Sequence, residues 1–175
     1  LQWAAQNVTE VSSENVNANL EGELIYLEGD VQAQATRSDP VFDVESSGIK
    51  MERFVEEYVR RRGDDNTTYK WIDSGVSPSP GSENVNARVF QADNVRIGAY
   101  ELSDGLVRDD VPVHTFDVRE QLETDLPDEI QEQSFIYSAF GGALCFPEGE
   151  SSDQCGNDRD NLADVRVYWK QFPEG

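Results

Sequence analysis

Two runs of aromatic and β-branched residues lie between positions 49 and 75 and flank a polar turn at 63–66. This pattern predicts a long central β-hairpin, because the Gly, Asp and Asn of the turn tolerate positive φ. The first arm is ambiguous, since five of its residues also follow helical spacing: Met51, Phe54, Val55, Tyr58 and Val59. A strand is favoured because the second arm, 67–72, is strand-like and needs a partner. Val55, Tyr58 and Trp71 are expected in the core.

Shorter segments outside the hairpin also favour strands. Residues 21–30 form a short apolar segment bracketed by glycines, and 31–35 alternate apolar and polar positions as a half-buried strand does. Residues 134–138 predict another strand, and 165–169 show a clean alternation.

Two short helices are predicted. The first is capped by Ser103 and would bury a stripe of three residues: Leu102, Leu106 and Val107. The second covers 118–124, with Asp117 as its cap and Pro127 as its stop. The predicted fold class is therefore α+β: a β-rich, mostly antiparallel twisted sheet with the long hairpin and about two short helices. Residues 1–175 read as a single domain, with 1–19 as a tether or first strand.

The charge of the chain is extreme, with 35 acidic residues against 14 basic ones and a net charge of −21. Nucleic acid is disfavoured as a partner because its phosphates would be repelled, and an anionic lipid surface is disfavoured for the same reason. Acid spread along the whole chain, with only three lysines, indicates adaptation to high salt, where screening makes self-repulsion tolerable. The alternative is an ordinary acidic protein.

The two cysteines, Cys145 and Cys155, lie within an acidic loop predicted at 145–161. A zinc site would need more ligands, and the single histidine, His114, is distant in sequence. A disulfide that closes this exposed loop is favoured, and it would imply an oxidising compartment. Two free thiols remain the alternative.

No residue pattern indicates catalysis. His114 lacks a neighbouring nucleophile, and Ser103 lies outside any G-x-S-x-G turn. The loop at 153–164 is rich in oxygen ligands, but its spacing does not fit an EF-hand, so a solvated loop is favoured over a calcium site. Glycosylation triplets begin at Asn7 and Asn66, and the basic run 60–62 is expected to pair with local acids. We therefore expect no enzyme activity, no catalytic residue, no cofactor and no metal. No run approaches the roughly 20 apolar residues of a membrane span.

Several weak motifs follow one another between residues 15 and 170. They are Glu21-Gly22-x-Leu24 with Gly29, Asp39-Pro40, Ile49-Lys50-x-x-Arg53-x-Val55-Glu56-x-Tyr58, Tyr69-x-Trp71, Val95-x-Ile97-Gly98-x-x-x-Leu102-Ser103-x-x-Leu106, Phe135-x-Tyr137 and Asp164-Val165-Arg166-Val167. In this order they resemble the LUMA family of multi-pass membrane proteins (transmembrane protein 43). The chain departs from the family where Val59-Arg60 follows Tyr58 in place of Gln-Trp, and where Ala163 replaces a glycine.

The resemblance implies a non-cytoplasmic domain of a membrane protein, anchored by flanking helices that are absent from this chain. Together with the acidic composition, it predicts a relative from a halophilic prokaryote. Animal relatives lie in the endoplasmic reticulum and inner nuclear membrane and organise lamina-associated partners. The implied function is non-catalytic scaffolding by self-association or by binding a protein partner. A carbohydrate- or peptide-binding module is the alternative, which exposed aromatic residues lined on one sheet face would favour. A hydrolase is a further alternative that would need a concave pocket.

Overall fold

The computed structural model describes residues 8–33, 36–62, 67–73, 85–115, 117–131, 136–137, 143–146 and 165–172. Its strands are β1 Thr9–Glu10, β2 Ile25–Tyr26, β3 Val31–Gln32, β4 Arg37–Asp39, β5 Val44–Ser46, β6 Lys50–Arg62, β7 Thr67–Asp73, β8 Arg88–Gln91, β9 Arg96–Ile97, β10 Tyr100–Glu101, β11 His114–Thr115, β12 Ile136–Tyr137, β13 Leu144–Phe146 and β14 Val165–Gln171. Its helices are α1 Arg119–Asp125 and α2 Asp128–Gln131, with a 3-10 turn at Ala18–Leu20 and a π-helical turn at Leu106–Asp110.

The main sheet confirms the predicted hairpin. Its strand order is β12-β13-β14-β6-β7, with β8 also paired to β6 and β11 to β14, and it curls into a half-barrel. All of these pairings are antiparallel. β6 and β7 pair from Glu56 opposite Asp73 to Arg62 opposite Thr67. The described chain is thus β-rich and mostly antiparallel, broadly of the α+β class.

The ambiguous first arm is a strand because β6 has a partner on each side. β14 pairs along one edge and β7 and β8 along the other. Met51, Arg53 and Val55 point to the buried face, while Glu52, Phe54 and Glu56 alternate onto the half-buried outer face. This period of two is the side-chain period of a strand, and long-range pairing overrides the helical spacing that the same residues share.

Two hydrophobic clusters form the core. The larger packs the inner face of β6 and β14 against β4–β5, β8, β13 and the two helices, and its members include Phe42, Met51, Val55, Leu122, Leu144, Val167 and Trp169. The smaller lies at the first end of β6 and consists of Ile49, Ala92, Val95 and Val107, with Val31 and Phe172 packed against it. Burying a side chain of this size contributes about 1.5–3 kcal/mol.

The N-terminal segment differs from its prediction. Residues 21–30 do not enter either hydrophobic cluster: Leu24 and Tyr26 are exposed and Ile25 is only half-buried. β2 pairs in parallel with β1, so a short strand does form within the predicted 1–19 segment. The segment is fastened to the β9–β10 turn, where Gly98 has φ +58 and its added Cβ would lie 2.1 Å from Ser13 O. The backbone N–H of Ala99 donates to that same carbonyl at 2.7 Å.

The helix predictions are confirmed in part. The hydroxyl of Ser103 accepts the N–H of Leu106 at 3.3 Å, and a carboxylate oxygen of Asp117 accepts the N–H of Arg119 at 2.9 Å. Val107 is buried as predicted, but Leu106 is 40% exposed because the turn is π-helical, which shifts the buried stripe. Pro127 follows the end of α1, as expected.

Candidate functional site

The residues considered for catalysis lie apart. His114 is exposed on β11, opposite Gln171 at the margin of the sheet. Ser103 serves as a helix cap. The oxygen-rich loop at 153–164 and the asparagines of both glycosylation triplets lie outside the described residues. Within the described ranges, no group of three or more His, Cys, Asp or Glu side chains is placed to hold a metal.

The structure corrects the predicted position of Cys145. Cys145 lies in β13 and is fully buried, opposite Arg166 of β14, so the predicted loop at 145–161 does not begin at residue 145. Three consecutive buried residues, Leu144–Phe146, fit a strand covered on both faces. Cys145 is not a free thiol. Cys155 lies outside the described residues, and its pairing with Cys145 stays a prediction.

A buried ion pair occupies the centre of the larger cluster. Asp39 is 0% exposed and Arg53 4% exposed. Nη1 of Arg53 donates to both carboxylate oxygens, at 2.6 and 2.8 Å, and Nε donates to the carbonyl of Asn86 at 2.9 Å. Nε1 of Trp169 donates to Asp39 Oδ2 at 3.0 Å, and the N–H of Val41 donates to Oδ1 at 3.1 Å. The contacts of Asp39 with Arg53 and Trp169 join β4 to β6 and β14, so the pair holds these three strands together.

A second buried cation secures the first end of β6. Lys50 is 3% exposed, and its Nζ donates to the carbonyls of Arg108 and Val111 at 2.5 and 3.1 Å. The same nitrogen lies 2.7 Å from a carboxylate oxygen of Glu52. Charge-assisted hydrogen bonds of this kind are the strong ones. Lys50 thereby fixes the π-helical turn against the sheet.

Aromatic and cationic side chains alternate on the outer face of the main sheet. We call this set the outer ladder: Phe54, Trp71, Arg166, Tyr168 and Lys170. The rings of Phe54 and Tyr168 stack at 5.1 Å with an interplanar angle of 10°, and Nζ of Lys170 lies 4.6 Å from the Phe54 centroid. The Arg166 guanidinium lies 4.5 Å from the centroid of Trp71. Such pairs stabilise adjacent strands by about 0.5–1.5 kcal/mol each.

Glu56 connects two members of the outer ladder, Arg166 and Tyr168, through its carboxylate. One of its oxygens accepts from Nε of Arg166 at 2.5 Å, and the other accepts from the hydroxyl of Tyr168 at 3.3 Å. Burial raises the pKa of Tyr168 to about 12, and the nearby Glu56 carboxylate acts in the same direction. Tyr168 is therefore a neutral hydrogen-bond donor across the neutral pH range, and it does not serve as a base.

The far end of the hairpin extends past the described part of β14. We call it the arm: residues 58–62 of β6 and 67–71 of β7. Among the described residues, β14 pairs with β6 only as far as Glu57, so the arm is a two-stranded ribbon. Tyr58 is buried by its own neighbours, with its ring 6.4 Å from Tyr69 and 5.3 Å from Trp71. Trp71 is only half-buried, so the expectation that it lies in the core is wrong.

Basic residues are concentrated on the arm. Arg60 and Lys70 are exposed, and Arg60 forms no ion pair with any described residue. The expected pairing with local acids is therefore not seen at Arg60. The structure does not describe the side chains of residues 61 and 62.

Sequence reasoning missed both buried cations and Asp39. In the sequence, Asp39 stands out only in the motif Asp39-Pro40, and in the structure its Oδ1 accepts the N–H of Val41 at 3.1 Å. Its charge partner is Arg53, 14 residues away, and its indole partner is Trp169, 130 residues away. One signal was available: a basic residue at an inward-facing position of an alternating strand requires a buried acidic partner.

Comparison with known proteins gives no match: no family model, no curated protein and no solved structure is similar to this chain. Among the described residues, no helix has the length and apolar character needed to cross a membrane.

Proposed function

We propose that this chain is a non-catalytic interaction domain that organises protein assemblies through the arm. The observation that carries the proposal is the arm itself. Residues 58–62 of β6 have no neighbour on the β14 side among the described residues, and the ribbon that they form with β7 carries exposed Arg60 and half-buried Tyr69 and Trp71. These three residue types are the ones enriched at the centres of protein interfaces.

The polar centres of the described chain support this proposal. The oxygens of Asp39 and the nitrogens of Arg53 are used in cross-strand contacts within the core, and the Lys50 ammonium is used in fastening a turn. Glu56 is engaged by Arg166 and Tyr168. Groups committed in this way stabilise the fold, and they are not positioned to act on a substrate.

The resemblance to the LUMA family adds location to the proposal. On that basis the domain is extracytoplasmic and belongs to a membrane protein. The acidic composition adds a halophilic prokaryotic origin, and a Cys145–Cys155 disulfide would form in an oxidising compartment. Scaffolding by self-association or by binding a protein partner follows from the same resemblance. A net charge of −21 disfavours nucleic acid as that partner.

The proposal is tested by photo-crosslinking in intact cells that produce the protein. A benzophenone amino acid at Thr68, exposed on the arm, is expected to give a defined adduct, and one at Thr124, exposed on α1, is expected to give none. Adducts are identified by mass spectrometry. Equal crosslinking at both positions would contradict the proposal. So would turnover of an ester, peptide, glycoside or phosphate substrate that is abolished by changing a single carboxylate.

A carbohydrate- or peptide-binding module is the second candidate, because the ladder does place aromatic residues on one sheet face. The geometry of these rings is less suitable for binding sugars. Stacking on a sugar requires an open ring face, whereas Phe54 is stacked on Tyr168 with Lys170 above it, and Trp71 lies beneath Arg166. Quenching of tryptophan fluorescence by an oligosaccharide, lost in Trp71→Ala but not in Trp3→Ala, would establish the second candidate.

A further inference from the structure

β7 forms an open edge of the main sheet. It pairs with β6 along its full length of 7 residues, and among the described residues no strand pairs with its other side. The pairing contains neither a bulge nor a proline, which are two common means of protecting a strand edge. The other described strands at the margins of this sheet, β8, β11 and β12, have 4, 2 and 2 residues. β7 is therefore the longest open edge of the described sheet.

The alternation of hydrogen bonds along β6 determines which backbone groups of β7 face outward. On the β14 side, the N–H of Phe172 donates to the carbonyl of Lys50 at 2.9 Å. On the β8 side, the N–H of Ala92 donates to the carbonyl of Ile49 at 2.8 Å. Because successive residues of a strand direct these groups to opposite edges, even-numbered residues of β6 bond to β14 and odd-numbered residues bond to β8 and β7.

The register of β7 against β6 then assigns the backbone groups of β7. Positions 57, 59 and 61 of β6 lie opposite positions 72, 70 and 68, which therefore bond to β6. Thr67, Tyr69 and Trp71 direct their N–H and C=O groups away from β6, and within the described chain these groups have no hydrogen-bond partner. Donors and acceptors thus recur at every second residue, about 7 Å apart. The backbone of an extended strand carries matching groups at the same repeat.

The side chains along this edge differ between the two faces of β7. Tyr69 and Trp71 lie half-buried on the outer face, and the exposed Lys70 lies between them on the opposite face. Lys70 forms no ion pair with any described residue. Residues directly opposite each other in an antiparallel pair share a face, where opposite charges, or aromatic and β-branched side chains, stabilise each other. The edge therefore suits a strand with an acidic residue opposite Lys70 and β-branched or aromatic residues on either side of it.

We propose that β7 receives, as an added antiparallel strand, an extended segment of a partner protein in which an acidic residue is flanked by β-branched or aromatic residues. This inference rests on the interaction role proposed above and gives its mode of binding. In strand addition, main-chain hydrogen bonds supply affinity and the alternating side chains supply specificity. A second copy of β7 suits this edge less. Antiparallel pairings centred on Tyr69, Lys70 or Trp71 would bring the Lys70 side chains of both copies to opposite or diagonal positions on one face.

The test begins with a displayed library of random peptides of about 12 residues, selected on the folded chain at 2 M sodium chloride. The selected peptides are expected to share an acidic residue between β-branched or aromatic ones, with no proline in that stretch. The strongest binder is then synthesised with a fluorescent label, and its Kd is measured by anisotropy.

Two pairs of protein variants separate the contributions of backbone and side chain. Tyr69→Pro removes an outward N–H and no bond to β6, which an edge strand tolerates, whereas Tyr69→Ala removes the ring and keeps the N–H. The peptide is expected to bind Tyr69→Pro at least about fivefold more weakly than Tyr69→Ala. Lys70→Glu should raise the Kd at least about fivefold because it places like charges opposite each other. Its control is Arg96→Glu, a charge reversal at an exposed position of a different sheet, which should leave the Kd unchanged. Circular dichroism and melting temperatures establish that each variant is folded.

N-methylation of the peptide gives a measurement that needs no protein variant. Methyl groups on the two residues that donate to β7 should raise the Kd at least about tenfold, whereas methyl groups on the residues between them should have a much smaller effect. Equal effects of the two methylation patterns, equal binding to Tyr69→Pro and Tyr69→Ala, or a selection that yields no binder would overturn strand addition. An unchanged Kd for Lys70→Glu would overturn the acidic character of the partner segment.

The remaining outcomes separate this inference from the proposed function. A concentration-dependent dimer in sedimentation velocity that is abolished by Tyr69→Pro would assign the edge to a second copy and overturn the partner named here. A failed peptide selection together with a defined adduct at Thr68 would overturn strand addition and leave the proposed function standing. If neither a binding peptide nor an adduct is found, both fall.

Discussion

The buried pair between Asp39 and Arg53 gives the sharpest test of how this fold is held together. Asp39→Asn keeps the size of the side chain and removes its charge. The amide offers one acceptor oxygen in place of two, so one donor from Arg53 or Trp169 is left facing an NH₂ group. The guanidinium stays at 4% exposure without a counter-charge.

The expected loss follows from this geometry. Breaking a buried pair by removing one partner destabilises a protein by about 3–5 kcal/mol. For a chain of this size that corresponds to a fall in Tm of roughly 6–20 °C. Urea unfolding at fixed salt measures the free energy directly. Because both groups are withdrawn from solvent, the loss should be the same at 0.2 and 2 M sodium chloride.

An exposed pair provides the control. Arg108 and Asp109 approach to 2.9 Å, but their side chains are 56% and 60% exposed, so Asp109→Asn should leave the unfolding free energy unchanged. Adding Arg53→Met to Asp39→Asn removes the unpaired charge and should recover part of the loss. An Asp39→Asn loss below about 1 kcal/mol, or one that shrinks with salt, would refute the claim that this pair is buried and structural.

Four further outcomes are expected. Gly48→Ala should lower the free energy of unfolding by roughly 1–3 kcal/mol, because the new Cβ would lie 2.2 Å from the carbonyl oxygen of Phe172. The control, Gly105→Ala, places its Cβ where nothing lies within 4 Å, so it should not destabilise the fold. Equal melting temperatures of the two variants would count against this reasoning. The pKa of Tyr168 is about 12 in the folded chain but near 10 in the unfolded chain, so Tyr168 stabilises the fold fully below pH 10 and loses this effect as pH rises to 12. Tyr168→Phe should therefore reduce the fall in Tm between pH 10 and 12. An unchanged fall would contradict this prediction. Melting temperature should rise between about 0.1 and 2 M sodium chloride as repulsion among the acidic residues is screened, and a flat or falling curve would argue against halophilic adaptation. Thiol titration of the denatured, unreduced chain should find no free sulfhydryl, and two would disprove the disulfide.

The sequence predicted the parts of the fold that depend on local pattern. The alternation in β14, the two strand-forming arms of the hairpin and the hydrogen bonds accepted by Ser103 and Asp117 near helix starts each carry a short-range physical signal. The prediction that Trp71 lies in the core is wrong because it relied on the residue type, which favours burial. The actual burial of Trp71 depends on whether further strands of the sheet cover it. Here the described sheet narrows to two strands at that point.

The candidate site could not be predicted to the same extent. The hairpin could be predicted from its two arms, but the strand that pairs with β6 on the other side lies more than 100 positions along the chain. The outer ladder has the same origin, because Phe54 meets Tyr168 only through the register of β6 against β14. The exposure of Leu24 and Tyr26 could not be predicted either, because apolar side chains are usually buried. Cross-strand register and tertiary coverage decide these features, and neither is encoded in a short window.

The position of β14 in the sheet has a consequence for how the chain acquires its structure. β14 lies between β13 and β6, yet it is the most C-terminal strand, and its Trp169 completes a contact with Asp39 across 130 residues. During synthesis, one edge of β6 therefore stays unpaired with β14 until residues 165–171 have emerged. Topologies dominated by such distant pairings fold in milliseconds to seconds and expose strand edges meanwhile. A net charge of −21 opposes the association of such partly folded chains, because like charges repel.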